Sequence, residues 1–313
     1  MSNQWLGIAA SLVMGAGLLT GCGTTASAAA SAPGPIHLTD DLHHTITLKK
    51  VATRIVTLEP SNAEIALDLG LKSRMVGTDQ ATFTYTPAPW HNQLHGIPNI
   101  GPSYPGISVE KIVAAKPDLV IATTGIKGLS ALARFHIPVL VLQPTSIQGI
   151  YHDILLVGRA TGTTRRARAT VAHMQHQIAA IEQQVRRLKT RPTVFYDLGG
   201  LYTAGPHTFL NSLIDMAGAH NVGAQLSTQP YPQVTAEQVV KANPDDILID
   251  PASGTTVAKE ETISGFSAIT AVKTGHVDLI PNSSYVNEPS PALVMGLREL
   301  VTVLHPQLKL SAQ

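Results

Sequence analysis

The sequence predicts an α/β protein in which two Rossmann-like lobes are joined by a single long helix, with a ligand cleft between the lobes. One observation behind this prediction is an internal repeat of a helix, a turn and a strand. Another is a series of short, continuous apolar runs that alternate with helical segments. Such runs are typical of parallel strands that are covered on both faces. The length of 313 residues also exceeds that of one ordinary domain.

The first 45 residues have the composition of a targeting segment and a tether. Residues 6–19 form an uncharged run rich in Ala, Gly, Leu and Val, which is short for a membrane span and typical of a signal-peptide core. The following Leu19-Thr20-Gly21-Cys22 resembles the lipobox of bacterial lipoproteins, in which the cysteine is acylated and becomes the first residue of the mature chain. We therefore expect a signal peptide over 1–21, a lipidated Cys22 and a flexible tether over 22–45, with folded structure from about Ile46.

This interpretation places the protein outside the cytoplasm, anchored to the cell membrane by lipid. The alternative is an incidental cysteine behind an ordinary signal peptide. Because Cys22 is the only cysteine, the sequence excludes disulfides within the chain.

The internal repeat divides the folded part into two lobes. One copy runs from Ser108 to Ile121 and the other from Thr235 to Leu248, and each combines a hydroxyl N-cap, a short helix, a Pro-Asp turn and a buried strand. A strand and a helix precede each copy, at 54–70 and at 193–218. We therefore expect an N-terminal lobe over 46–163 and a C-terminal lobe over 191–313.

The segment between the lobes carries a helical pattern. Apolar residues recur at alternating steps of three and four before Pro192, which predicts one amphipathic helix over 164–190. From Thr164 to Lys189 this helix would span roughly 39 Å, enough to connect two lobes. A dimeric coiled coil fits the same spacing, although the run covers barely three heptads. The apolar positions are Val171, Met174, Ile178, Ile181, Val185 and Leu188.

Charged residues are sparse and balanced, with 22 Lys and Arg against 21 Asp and Glu. No basic surplus is left to neutralise phosphates, so a nucleic-acid partner is not expected. A two-domain enzyme that uses the interlobe cleft is the competing class. It lacks supporting motifs, since the chain has no G-x-G-x-x-G after the first strand, no Walker A loop, no G-x-S-x-G elbow and no H-E-x-x-H. Glu59 is the best lone candidate acid, and we predict no catalytic residues and no cofactor.

Four segments of the folded part carry a family signature: 54–64 (RIVTLEPSNAE), 109–119 (VEKIVAAKPDL), 232–237 (PQVTAE) and 290–293 (SPAL). With them, the chain from about Thr53 to Pro306 resembles the cobalamin- and siderophore-binding proteins of ABC importers. The resemblance implies capture of a metal chelate and its delivery to an ABC permease and its ATPase. It also implies that Glu110 and Glu237, one in each lobe, dock onto the permease. Alternatively, each simply offsets a helix dipole from the first turn.

Tyrosines dominate the loops that we expect to face the cleft, which contain five of the seven in the chain. A tyrosine combines a flat apolar ring with a polar tip at low entropic cost, which suits a large, partly apolar ligand. In the cobalamin-binding relatives, aromatic residues occupy loops that align with Tyr202 and Tyr231. The alternative is that these are ordinary loop tyrosines. The predicted ligand-binding residues are Tyr85, Tyr104, Thr123, Tyr202, Tyr231, Tyr285 and Asn287.

Charge narrows the class of ligand. The candidate loops contain no arginine and a single lysine, Lys127. These loops are 80–90, 101–107, 123–128, 199–207, 229–233 and 282–290. Anionic catecholate siderophores and haem propionates normally require a cationic clamp, so a corrinoid or a hydroxamate complex fits better. Haem stays open through an axial Tyr104 or His207. The spacing of the remaining histidines predicts no metal site.

Overall fold

The β structure of residues 34–310, which this computed structural model describes, consists of ten strands: β1 (Ile36–Thr39), β2 (Thr45–Leu48), β3 (Ile55–Thr57), β4 (Met75–Thr78), β5 (Leu119–Ala122), β6 (Val139–Val141), β7 (Thr193–Asp197), β8 (His220–Asn221), β9 (Asp246–Ile249) and β10 (Val277–Leu279). The first two pair as an antiparallel hairpin. The others form two parallel sheets, ordered β4-β3-β5-β6 in the N-terminal lobe and β10-β9-β7-β8 in the C-terminal lobe. This confirms the predicted fold class.

Twelve α-helices accompany the strands in the same residues: α1 (Pro60–Asp68), α2 (Gln80–Tyr85), α3 (Val109–Ala114), α4 (Ile147–Thr161), α5 (Thr164–Val185), α6 (Phe209–Met216), α7 (Gly223–Leu226), α8 (Ala236–Ala242), α9 (Val257–Glu261), α10 (Thr270–Thr274), α11 (Ser283–Asn287) and α12 (Leu293–Leu304). Within residues 34–310, none of these helices has the length and apolar character needed to span a bilayer.

The central strands are buried on both faces, which explains their continuous apolar sequences. Alternate side chains of β3 enter different clusters, Ile55 on one face of the sheet and Val56 on the other. Tyr196 and Phe195 of β7 divide in the same way. Each lobe is therefore a sheet covered on both sides, and the inner clusters of the two lobes belong to one continuous core.

The hydroxyl N-caps of the repeat form as predicted. The Ser108 Oγ atom accepts a hydrogen bond from the Lys111 backbone N–H at 3.4 Å and begins α3. Thr235 does the same for α8, where the Gln238 N–H lies 3.2 Å from its Oγ1 atom. The Gln238 side chain returns a bond to the Thr235 N–H, which completes a capping box.

The Pro-Asp turns of the repeat have a second role at the start of each lobe. Asp118 accepts hydrogen bonds from the Thr53 and Arg54 backbone N–H groups at 3.0 and 2.8 Å. Asp245 accepts one from the Thr193 N–H at 2.8 Å. In both lobes the turn aspartate therefore fixes the entry to the first parallel strand, at the amino-terminal edge of the sheet.

The long helix α5 connects the lobes and packs against both α4 and α12. It comprises 22 residues and ends five positions before the predicted end, because the Arg187 and Leu188 N–H groups bond to carbonyl oxygens only three residues back and tighten the last turn. Val171, Met174, Ile178 and Ile181 are all buried. The apolar stripe is therefore used inside the chain rather than in a coiled coil.

The predicted tether extends too far along the chain. Folded structure begins at Ile36 rather than near Ile46, because β1 pairs with β2 in register from Ile36 opposite Leu48. Leu38 is fully buried in the core. The prediction of a tether over 22–45 is thus wrong for residues 36–45, because the short strands β1 and β2 of this hairpin present too few apolar positions to be recognised. The predicted signal peptide and Cys22 lie outside the described residues.

Candidate ligand-binding site

A cavity of about 490 Å³ lies between the two lobes and is lined by residues of both. Its volume falls in the range of small-molecule sites. The N-terminal lobe contributes residues within a few positions of the carboxyl ends of its strands: Glu59 after β3, Thr123 after β5, and Gln143 to Thr145 after β6. These positions agree with the rule that ligands of open α/β sheets bind beyond the carboxyl ends of the strands.

Glu59 occupies an unusual backbone conformation at the edge of this cavity. Its φ of 122° and ψ of 144° lie in a region that residues other than glycine rarely adopt, at a cost of about 1–3 kcal/mol. The Glu59 N–H donates to the Asp79 Oδ1 atom at 3.2 Å, and Pro60 begins α1 immediately afterwards. This backbone conformation turns the chain from strand β3 into helix α1 and brings the Glu59 side chain to the cavity.

The C-terminal lobe contributes an imidazole, two aromatic rings and an amide, from His207, Phe209, Tyr231 and Asn287. The Asn287 Oδ1 atom accepts a hydrogen bond from the Tyr196 hydroxyl at 3.2 Å, and its Nδ2 group donates to Asp250 at 2.8 Å. Both ends of the amide are therefore fixed before any ligand arrives. Tyr231 is half exposed, with its ring available to a ligand.

Three of the seven predicted ligand-binding residues line the cavity, namely Thr123, Tyr231 and Asn287. Three others lie outside this lining and are exposed to solvent. Their relative accessibilities are 50% for Tyr85, 72% for Tyr104 and 47% for Tyr202. Tyr202 still lies close by, because its backbone pairs with Gln233 beside the Tyr231 loop. A role for these three tyrosines stays a prediction.

Tyr285 is also outside the lining of the cavity, and its polar tip is already used. The hydroxyl donates to the Ala88 carbonyl oxygen at 2.6 Å, and the ring packs against the core. This tyrosine therefore ties the loop after α2 to the C-terminal part of the chain. Sequence position alone does not distinguish such a contact from an open loop side chain.

Two carboxyl groups line the cavity, one from each lobe. Burial, then the nearby Asp79 carboxylate, raise the pKa of Glu59 to about 7. Burial, then Glu59, raise the pKa of Glu288 to about 8, although its Oε2 atom accepts a hydrogen bond from the Ser61 N–H at 3.1 Å. The sequence indicated Glu59 only as a lone acid and did not single out Glu288. Among the described residues that line this cavity, no lysine or arginine is present.

Ser290, the first residue of the SPAL segment at 290–293, makes contacts between the lobes close to Glu59 and Glu288. The Ser290 hydroxyl donates to the buried Glu64 carboxyl group of α1, while its oxygen accepts a bond from the Ala292 N–H at 3.0 Å. Burial, then Glu288, raise the pKa of Glu64, and the bond from Ser290 opposes that rise. Ser290 therefore joins the loop before α12 to the N-terminal lobe, next to the cavity.

The predicted docking glutamates occupy equivalent, exposed positions. Glu110 and Glu237 lie in the first turns of α3 and α8, two residues after the capping hydroxyls. Each helix precedes a parallel strand, so its amino terminus lies toward the carboxyl edge of its sheet, where the cavity opens. This placement gives each lobe one carboxylate near that edge, and contact with a permease stays a prediction.

The described residues, 34–310, contain no group of three or more His, Cys, Asp or Glu side chains arranged to hold a metal ion.

The family model for periplasmic binding proteins matches residues 55–283. The cobalamin-binding protein of Halobacterium salinarum is 32% identical over 280 residues, covering 87% of this chain and 74% of that protein. The uncharacterized ABC transporter substrate-binding lipoprotein YvrC of Bacillus subtilis is 30% identical, covering 96% and 97%. The periplasmic heme-binding protein RhuT of Roseiflexus, solved in apo form, has 25% identity and a TM-score of 0.72, covering 82% and 100%. The resemblance predicted from the sequence is thereby confirmed, and the chain belongs to the periplasmic binding protein family.

Proposed function

We propose that this protein captures a metal chelate, either a corrinoid such as cobalamin or a ferric hydroxamate siderophore, and delivers it to an ABC permease energised by an ATPase. The observation that carries the proposal is the interlobe cavity, which combines aromatic rings and fixed neutral polar groups without a cationic clamp. The similarity to a cobalamin-binding protein and to an ABC transporter substrate-binding lipoprotein supports it.

Charge at the cavity favours a neutral or cationic ligand. Glu59 and Glu288 are the titratable acids of the lining, and their raised pKa values leave them partly protonated near neutral pH. As both ionise, the cavity gains negative charge and repels anionic groups. Cobalamin and hydroxamate complexes avoid this penalty, whereas a catecholate complex does not.

Haem is the second candidate, because His207 lines the cavity and imidazole is a common axial ligand of haem iron. The structural similarity to a heme-binding protein agrees with it. Tyr104, the other axial candidate, lies outside the cavity lining. Haem propionates would also meet Glu59 and Glu288, so the acidic lining favours the chelates of the main proposal.

Tyr231→Ala should weaken ligand binding by roughly 1–3 kcal/mol, as for other aromatic anchors, because its ring lines the cavity. Absorbance titration and native mass spectrometry of the detergent-solubilised full chain would use cyanocobalamin, a ferric trihydroxamate and haem as separate probes. Phe135→Ala is the matched control, since both rings are 50% accessible and Phe135 lies outside the cavity lining. Unchanged affinity of Tyr231→Ala for every probe that binds would remove this ring from the site.

Ionisation of the cavity acids should separate ligands by charge. From about pH 6 to about pH 9, Glu59 and Glu288 pass through their pKa values of about 7 and 8 and become carboxylates. We expect a cationic ferric trihydroxamate to bind about tenfold more tightly at the higher pH, while neutral cyanocobalamin changes little. Calorimetric titration of the wild type and of Glu59→Gln with Glu288→Gln measures this. A pH dependence that persists in the double variant would assign it to other groups.

Charge reversal at both docking positions should abolish uptake while ligand binding stays intact. Two separated carboxylates, Glu110 and Glu237, fix one orientation on a permease, which a single charge cannot do. The measurement compares cellular uptake of radiolabelled cyanocobalamin with binding by the purified Glu110→Arg, Glu237→Arg variant. Glu261→Arg, at a partly exposed position of α9, controls for reversal of surface charge. Normal uptake by the double variant would show that docking does not use these residues.

Cys22→Ser should release the protein from membranes or block its maturation. The motif at residues 19–22 and the similarity to a lipoprotein support acylation at this cysteine, and two or more acyl chains are needed for stable anchoring. Fractionation of cells and intact-mass analysis of the mature chain provide the readouts. Membrane association equal to that of the wild type would contradict the lipobox interpretation.

A further inference from the structure

The hairpin of β1 and β2 contacts a wall of the ligand cavity although it lies before the part matched by the family model. The contact is made by Asp41 in the hairpin turn. Its Oδ2 atom accepts a hydrogen bond from the Gln143 backbone N–H at 2.6 Å, and its own N–H donates to the Val141 carbonyl oxygen at 3.2 Å. Val141 ends β6, and Gln143 begins the stretch 143–145 that lines the cavity.

The hairpin itself is well fixed, so Asp41 starts from a defined position. The neighbouring Asp40 side chain accepts hydrogen bonds from the Leu42 and His44 N–H groups at 3.0 and 2.7 Å, which shapes the turn. On the strand side, the Arg159 guanidinium of α4 donates to the His37 carbonyl oxygen at 3.0 Å. The turn is therefore anchored both within itself and to the N-terminal lobe.

A buried acid lies near Asp41. The Asp153 carboxyl group of α4 is fully buried, and neither of its oxygens has a hydrogen-bond partner among the described residues. Burial, then the Asp41 carboxylate, raise the pKa of Asp153 to about 9, so a proton on Asp153 avoids the repulsion that a second carboxylate would exert on Asp41.

We propose that Asp41 is a positioning residue for the ligand cavity: held by the hairpin turn, its carboxylate fixes the Gln143 backbone and the wall formed by residues 143–145. A hydrogen bond from an N–H group to a carboxylate is stronger than one between neutral groups. Without it the wall would spend less time in the binding geometry, and the apparent affinity falls by that fraction. The effect on affinity rests on the proposed function, while the effect on the wall does not.

The test uses the ligand-free full-length protein and the exchange rate of the Gln143 amide hydrogen, measured by NMR. We expect Asp41→Ala to raise that rate at least about tenfold, because the amide loses its hydrogen bond to a charged group. Asp118→Ala is the matched control, because it removes two backbone bonds at the opposite edge of the same sheet.

An unchanged Gln143 rate in Asp41→Ala, or an equal rise in Asp118→Ala, would overturn the proposal. If Asp41→Ala does not fold, Asp41→Asn keeps one acceptor oxygen and should show a smaller increase in the same direction.

Affinity for cyanocobalamin supplies the second readout, with Asp41→Ala expected to raise the dissociation constant about tenfold at unchanged stoichiometry. Failure of the wild type to bind this probe would count against cobalamin as the ligand and leave the exchange result standing. Binding by the wild type and Asp41→Ala with equal affinity would overturn the link between the wall and the ligand.

Discussion

One apolar core passes through both lobes, and the geometry of the cavity depends on it. The same cluster contains Ile154 of α4, Ile181 of α5 and Leu297 of α12, so side chains of both lobes share one buried interior. A hinge motion that moved the lobes apart at this joint would expose apolar surface, which costs about 25 cal/mol for each Å² exposed. The joint therefore holds the two carboxyl edges face to face, and the cavity between them exists before a ligand binds. Most of the binding free energy must then come from contacts already in place rather than from a large closure.

Polar contacts across the lobes complete this arrangement near the cavity. Glu288 accepts a hydrogen bond from the Ser61 N–H at the start of α1, where the helix dipole favours a negative charge. Ser290 donates to Glu64 of the same helix. These contacts gather carboxyl groups into a partly dehydrated space, which opposes their ionisation and raises the pKa of Glu288 and Glu64. The cavity therefore contains carboxyl groups that gain or lose a proton close to neutral pH.

The sequence predicts the parts of this structure that rest on local signals. The first residue of α5 and the caps Ser108 and Thr235 follow from helical periodicity and from hydroxyl side chains at helix starts. Its failures concern partners that are distant along the chain. The role of Glu288 can be recognised only from its position near Glu59. The hairpin at 36–48 can be recognised only from its packing on α4. The direction of a loop side chain also depends on residues that are distant along the chain. The sequence therefore does not reveal that the Tyr285 hydroxyl binds the Ala88 carbonyl oxygen and does not enter the cavity.

The C-terminal lobe contains a counterpart of the Asp41 and Asp153 pair. At the end of β7, Asp197 accepts hydrogen bonds from the Gly199 and Leu201 N–H groups at 2.9 and 3.0 Å, in the loop that leads to Tyr202. Glu260 of α9 is buried behind it, and burial, then Asp197, raise its pKa to about 8, so it holds a proton at neutral pH. In each lobe a carboxylate therefore accepts a backbone hydrogen bond from a loop that follows a parallel strand, and a buried acid with a raised pKa lies near that carboxylate. Neither buried acid has a hydrogen-bond partner among the described residues, so each is more stable with its proton than as a second carboxylate beside the first. A neutral acid at each position brings no positive charge, in agreement with a cavity lining in which the described residues include no lysine or arginine.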